Sequence, residues 1–111
     1  MSSVKKSGLH PDQLSAVAHL FSVLSEPSRL HLLQALQPGP LSVGQLVEAT
    51  GLKQANVSRH LAVLFGQQLV RRRRDGATIY YEIADSSIFA LCDLVCSKVR
   101  RDARKITSLF E

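Results

Sequence analysis

The chain has 111 residues, which is room for one domain, and 45% of them are hydrophobic, which is sufficient for a core. Its formal net charge of +5 favours a polyanionic partner. No apolar run approaches the length of a membrane span and the N-terminus lacks an apolar signal region, so we expect a cytoplasmic protein with no membrane partner. No nucleophile–base pair, phosphate-binding loop or carboxylate pair stands out, which disfavours an enzyme.

The predicted elements form one domain over residues 11–105, preceded by an extension over residues 1–10 and followed by a short end over residues 106–111. The first helix begins at Pro11, and its apolar residues share one face: Leu14, Val17, Phe21 and Leu24. Ser25 is predicted to cap the second helix, with Pro27 in its first turn. The apolar residues of this helix are expected on its buried side: Leu30, Leu33 and Leu36.

A helix-turn-helix is predicted next. Ser42 and Gln45 form a capping box at the start of the third helix, and Gly51 supplies the tight turn that follows it. The fourth helix has an apolar face that is spaced to point inward: Val57, Leu61 and Leu64. Its outer face carries side chains that suit bases and phosphates: Gln54, Asn56, Ser58, Arg59 and His60. A lone histidine on a helix is more often a packing or capping residue, and that alternative stays open for His60.

An arginine-rich β-hairpin follows, in which the dipeptide Asp75-Gly76 favours a two-residue type I′ turn. One face of the second strand is expected to be half-buried: Ile79, Tyr81 and Ile83. Because side chains alternate along a strand, only part of Arg71–Arg74 can face DNA in one pose. Between Lys53 and Arg74 there is no Asp or Glu, so we predict that this stretch binds DNA.

Three blocks in this order resemble the ArsR/SmtB family of winged-helix repressors: LSEPSRLHLLQAL at Leu24–Leu36, VSRHLAVL at Val57–Leu64 and LVRRRRDGATIYYEI at Leu69–Ile83. The resemblance implies a mainly α fold of five helices with a two-stranded wing, and a homodimer joined by its first and last helices. It further implies repression at an inverted-repeat operator in double-stranded DNA, relieved by an inducer that is often a metal ion. The implied DNA-binding residues lie in the fourth helix and the wing: Lys53, Gln54, Asn56, Ser58, Arg59, His60, Arg71, Arg72, Arg73 and Arg74.

The chain departs from the family at both ends of the fourth helix. Family members commonly begin this helix with Ser or Thr, whereas this chain has Lys53, which cannot cap it. The glycine usual at its end is replaced by Gln68. The cysteine motif that the family carries in the third helix is absent over residues 44–47. The family's zinc site in the last helices is also incomplete, because Ser87, Lys98 and Arg101 stand where it has ligands. A sensor that binds zinc in that site is therefore disfavoured.

The last helix is predicted to begin at the N-cap Asp85 and to contain the chain's only cysteines, Cys92 and Cys96. They border an apolar stripe that is expected to be buried: Ile88, Leu91, Val95 and Val99. Cβ atoms four residues apart on a helix are separated by about 5–6 Å, whereas a disulfide needs about 3.5–4.5 Å. Two bonds of about 2.3 Å to a bridging ion span that gap. The cysteine pair therefore predicts a thiophilic inducer: trivalent arsenic or antimony, or cadmium, mercury or copper(I).

Most of these ions need a third ligand, which the partner's last helix, His10, His19 or a small thiol can supply. Two alternatives for the cysteines stay open: thiol redox or persulfide sensing through an interchain bridge, and packing alone. The basic stretch Lys98–Lys105 suits the negative end of the helix dipole better than it indicates a second DNA contact. A further alternative is a winged-helix protein-interaction module with no inducer.

Overall fold

A computed structural model describes residue 8 and residues 10–109. Over these residues the chain forms helices and strands in this order: α1 (Pro11–Leu24), α2 (Pro27–Ala35), β1 (Leu41–Ser42), α3 (Val43–Thr50), α4 (Gln54–Gly66), β2 (Val70–Asp75), β3 (Thr78–Ile83) and α5 (Ser87–Leu109). This order confirms the predicted mainly helical winged helix. Most of the predicted extension over residues 1–10 and residues 110–111 lie outside the described residues.

The core lies where α2, α3, α4 and β2 meet. Its largest fully buried side chains are aliphatic: Leu32, Leu33, Leu36, Leu46, Val57, Leu61, Leu64 and Val70. The inward face predicted for α4 is therefore confirmed. The prediction for Leu30 was wrong, because this side chain is 40% exposed. The buried stripe of α2 is formed by Leu32, Leu33 and Leu36. Because each residue turns the helix by 100°, Leu30 lies to one side of this stripe.

The N-cap of α2 is Glu26, not Ser25 as the sequence predicted. The Glu26 carboxylate accepts hydrogen bonds from the backbone N–H of Ser28 at 3.2 and 3.3 Å. Ser25 is instead the C-cap of α1, and its hydroxyl donates to the Ser22 carbonyl at 2.7 Å. One residue thus ends the first helix and the next begins the second.

The wing is part of a three-stranded antiparallel sheet in the order β1-β3-β2. The sequence predicted only two strands, because the two residues of β1 are too few to show alternation. Asp75 pairs with Thr78, so the loop is Gly76-Ala77 rather than Asp75-Gly76. Only Gly76 has a positive φ, 66°, whereas a type I′ turn needs positive φ at both loop residues. The predicted turn type was therefore wrong.

The connection from α4 to the wing is a Schellman motif. Gln68 adopts the left-handed conformation with φ 60°, and its N–H donates to the Phe65 carbonyl at 3.0 Å. The Leu69 N–H donates to the Leu64 carbonyl at 3.0 Å, and both leucine side chains are buried. This turn directs the chain from α4 into β2.

Large apolar side chains on α1 and α5 remain uncovered in the single chain. Phe21 is 52% exposed, and on α5 Val95 and Val99 are 52% and 61% exposed. Of the stripe predicted to be buried on α5, Ile88 is buried and Leu91 is half-buried against the core, whereas Val95 and Val99 are exposed. Within the described residues, no helix is both long enough and apolar enough to cross a membrane.

Candidate nucleic-acid interface and cysteine groove

The first turns of α4 present an exposed polar face. Lys53, Gln54, Ser58 and Arg59 are exposed, and Asn56 is half-buried. The Arg59 guanidinium donates to the Asn56 side-chain oxygen at 3.2 Å, so these two side chains are hydrogen-bonded to each other in the free chain. The Ser42–Gln45 capping box at the start of α3 and Gly51 at its end, with φ 74°, set the angle at which this face is presented.

The N-terminus of α4 lacks a side-chain cap, as the presence of Lys53 predicted. The Lys53 carbonyl accepts from the N–H of Val57 at 2.9 Å, but its side chain makes no cap hydrogen bond. The uncapped N–H groups of the first turn of α4 and the exposed side chain of Lys53 belong to the same end of the helix, which favours an anion such as a phosphate.

His60 does not belong to the exposed face, and its predicted outward placement was wrong. Its side chain is 6% exposed, and Nε2 lies 3.7 Å from a carboxylate oxygen of Glu26. Burial is the largest cause that lowers the pKa of His60, and the neighbouring Arg59 lowers it further. The second ring nitrogen, Nδ1, is buried without a hydrogen-bond partner. His60 packs α4 against the start of α2, which is the alternative that the sequence left open.

The four arginines of β2 are not equivalent. The Arg72 guanidinium carbon lies 3.9 Å from the centroid of the Phe65 ring at the end of α4, a cation–π contact that holds the wing against α4. Arg71 donates to the Glu82 carboxylate at 2.8 Å, and this hydrogen bond lowers the pKa of Glu82. Among the described residues, the side chains of Arg73 and Arg74 make no hydrogen bond or salt bridge. They are therefore the wing arginines that are free to meet another molecule.

Cys92 and Cys96 lie on α5 and line a groove of about 720 Å³ between the end of α1, α2 and the first half of α5. Both are free thiols; Cys92 is half-buried and Cys96 is exposed. Burial is the main cause that raises the pKa of Cys92, and Cys96 and Asp93 add to it. His31 of α2 lines the same groove.

No cluster of three metal-binding side chains occurs within the part of the chain that the structure describes. The histidines proposed as third ligands, His10 and His19, do not line the groove. Asp85 uses its carboxylate as a helix cap, accepting from the Ser87 N–H at 3.0 Å and the Ser87 hydroxyl at 2.7 Å. These bonds lower the pKa of Asp85.

Sequence reasoning missed three residues that shape these two sites. Glu26 faces His60, Phe65 supports Arg72, and His31 lines the cysteine groove. Each contact joins separate elements, so periodicity within one helix carried no signal for it.

Comparisons with known proteins agree with this geometry. The family model described as "Bacterial regulatory protein, arsR family" matches residues 26–72. The chain is 40% identical over 80 residues to a transcriptional repressor SmtB homolog of Synechocystis sp., covering 72% of this chain and 61% of the homolog. It is 42% identical over 82 residues to the HTH-type transcriptional regulator CmtR of Mycobacterium tuberculosis, covering 73% of this chain and 70% of CmtR.

Among solved structures, the chain is similar to the AntR antimony-specific transcriptional repressor, with a TM-score of 0.76 and 31% identity. That match covers 86% of each chain. The chain spans less than two thirds of the length of the SmtB homolog, at 61%.

Proposed function

The chain belongs to the ArsR/SmtB family of transcriptional repressors, and on that premise we propose that it binds an inverted-repeat operator in double-stranded DNA as a homodimer. The observation that carries the proposal is the exposed, acid-free face of α4 beside the two unpaired arginines of the wing, Arg73 and Arg74. The relatives are transcriptional regulators, and this chain is a regulator of that kind rather than an enzyme.

Each exposed side chain of α4 has a chemically distinct role in this proposal. Gln54 and Asn56 can pair bidentately with adenine, and Arg59 with guanine. Because Asn56 and Arg59 bond each other in the free chain, reading a base requires that this hydrogen bond opens. Ser58 and Lys53 suit phosphate oxygens. Arg73 and Arg74 are consecutive residues of β2 and point to opposite faces of the wing, so each face offers one free guanidinium to the DNA backbone.

The uncovered apolar residues of α1 and α5 support the homodimer. Phe21, Val95 and Val99 are each more than half exposed in the single chain, and a second copy packed on the same helices would remove them from water. A two-fold dimer that binds both halves of an inverted repeat would have to present its two copies of α4 to successive major grooves, about 34–36 Å apart.

Selection from a pool of random DNA duplexes tests this function without a known operator. The expected result is enrichment of an inverted repeat, bound by two chains, with affinity that falls steeply as salt rises. Arg59→Ala is expected to relax the base preference at one position of each half-site. Enrichment of no sequence, together with salt-independent binding to a protein partner, would support the interaction-module alternative instead.

For the inducer, the proposal is a thiophilic metal or metalloid bound by Cys92 and Cys96. The two thiols share one side of α5, the helix whose apolar face the dimer needs, so a ligand there can shift the dimer geometry. AntR is described as antimony-specific, and antimony is one of the thiophilic elements expected from the sequence.

Titration of arsenite, antimonite, Cd²⁺ and Zn²⁺ into the protein–DNA complex tests the inducer. Release is expected with at least one thiophile and is expected to be lost in Cys92→Ser/Cys96→Ser, while Ser97→Ala on the same helix serves as the matched control. If none of these ions releases the protein from DNA, the proposal of a metal inducer is wrong. Release by an oxidant, with a covalent dimer on a non-reducing gel, would establish the redox alternative.

A further inference from the structure

The wing is a hairpin that the rest of the sheet supports only near its base. Its two strands, β2 and β3, are six residues long and pair along their whole length. The third strand, β1, pairs with β3 only at Tyr80 and Tyr81. Beyond these residues the wing has two strands, and a two-stranded hairpin is marginally stable at best by itself in water. The direction of the wing tip therefore depends on contacts outside the sheet.

Arg72 and Phe65 make such a contact. Arg72 lies opposite Tyr81, which packs against the core, so both side chains are on the inner face of the wing. The Arg72 guanidinium carbon is 3.9 Å from the centroid of the Phe65 ring, well within the range of a cation–π interaction. Phe65 is in the last turn of α4 and is 37% exposed. The contact thus joins the middle of β2 to the end of α4.

This contact lies between the two parts of the chain that are proposed to meet DNA. Arg59 precedes Phe65 by six residues, about 9 Å along the axis of α4, and Arg73 and Arg74 directly follow Arg72. Sequence-specific binding requires α4 in the major groove and the wing on the backbone at the same time. Non-specific binding requires only positive charge near phosphates. The angle between α4 and the wing therefore affects the specific complex more than the non-specific one.

We propose that Phe65 and Arg72 are positioning residues for sequence-specific DNA binding, and that their contact holds the wing at the angle at which α4 and the free wing arginines reach one half-site together. This inference rests on the proposed function and names two residues that determine specificity without touching DNA. The Arg72 guanidinium stays over Phe65 in the complex. Without the contact the wing is freer to move, and ordering it again has an entropy cost that falls on the specific complex.

The test measures the ratio of specific to non-specific affinity by fluorescence anisotropy. The two probes are the inverted repeat obtained by selection and a scrambled duplex of the same length. In Phe65→Leu and in Arg72→Gln this ratio is expected to fall about two- to fivefold for each chain bound to a half-site, which corresponds to the loss of an exposed cation–π contact. The slope of log affinity against log salt is expected to stay unchanged, because no phosphate contact is lost.

A rescue variant and a charge control separate positioning from packing and from net charge. Phe65→Trp is expected to keep the ratio, because an indole is the best partner for a cation, whereas leucine offers apolar bulk without a π face. The double variant Phe65→Leu/Arg72→Gln is expected to lose no more than either single variant. Arg104→Ala removes one exposed positive charge from α5 and is expected to leave the ratio unchanged.

Hydrogen exchange of the free chain measures the hold on the wing without DNA. Backbone amides over residues 73–78 are expected to exchange faster in Phe65→Leu than in the parent, since the tip loses its contact with α4. Arg104→Ala is expected to exchange like the parent there. Equal exchange in the parent and Phe65→Leu would contradict the proposed hold.

Two results with DNA would overturn the inference. The first is an unchanged ratio in both single variants, or an equal loss in Phe65→Trp and Phe65→Leu. The second is a salt slope reduced by about 1 in Arg72→Gln, which would show that Arg72 binds a phosphate instead. If the parent prefers the inverted repeat and the variants keep that preference, only this inference is wrong. If the parent itself has no preference among duplexes, the repressor function is wrong and this inference with it.

Discussion

Gln68 occupies the position of this fold where the backbone most clearly demands glycine. Its φ of 60° lies in the left-handed region, and its N–H closes the last turn of α4 onto the Phe65 carbonyl. A side chain at such a φ brings Cβ close to the following carbonyl oxygen, which costs about 1–2 kcal/mol. We therefore expect Gln68→Gly to stabilise the protein.

The net effect is smaller than the relieved strain. Glycine also increases the conformational entropy of the unfolded chain, which opposes folding by about 0.4–1 kcal/mol. The middle of the first range minus the middle of the second leaves a stabilisation of about 0.5–1 kcal/mol. For a domain of this size, that corresponds to a rise in melting temperature of about 2–6 °C.

Gln67 provides the matched control, because it is the same residue type, is exposed like Gln68 and precedes it directly. Its φ is −94°, where a side chain is unstrained, so Gln67→Gly is expected to lower stability by about 0.5–1 kcal/mol. Urea unfolding and thermal melts at one fixed protein concentration measure both variants, since a dimer's stability depends on concentration. If Gln68→Gly destabilised the protein as much as Gln67→Gly, the inference of strain would be refuted.

Three further predictions concern the wing, His60 and the start of α5. Arg73→Ala is expected to weaken DNA binding and to reduce the slope of log affinity against log salt by about 1. Arg72→Ala should leave that slope unchanged, because the Arg72 guanidinium lies over Phe65. Equal losses of slope in the two variants would contradict the different roles of Arg72 and Arg73. The pKa of His60 lies below its ordinary value of 6.5, so the folded state binds fewer protons than the unfolded state and stability falls as pH drops through 6.5. In His60→Gln, the free energy of unfolding in urea should fall less steeply as the pH drops below 6.5. If the two proteins lose stability in parallel, His60 is not the cause of the pH dependence. Asp85→Ala should lower stability, because Ser87 loses the two hydrogen bonds that this carboxylate accepts, whereas the exposed neighbour Ser86→Ala should be nearly neutral. Similar losses of stability in both variants would argue against the cap.

Local features of the chain were predictable because their causes lie within a few residues. The Ser42–Gln45 capping box, the turn at Gly51 and the inward face of α4 all follow from spacing that a helix imposes. The uncapped start of α4 at Lys53 was likewise visible in the sequence. These features, with the arginine-rich hairpin after them, were enough to predict a winged helix and its candidate DNA-binding face.

Other features depended on which elements meet, and only the tertiary structure decided them. His60 is buried because Glu26 at the start of another helix faces it, although its own helix gave no reason to separate it from Arg59. Arg72 is held by Phe65 while Arg73 is free, because β2 folds back beside α4 in one register. The four-residue spacing of Cys92 and Cys96 could be seen in the sequence, but the apolar groove beside these cysteines exists only where α1, α2 and α5 come together. Contacts between elements depend on packing over the whole core, and no periodicity within a single segment encodes them.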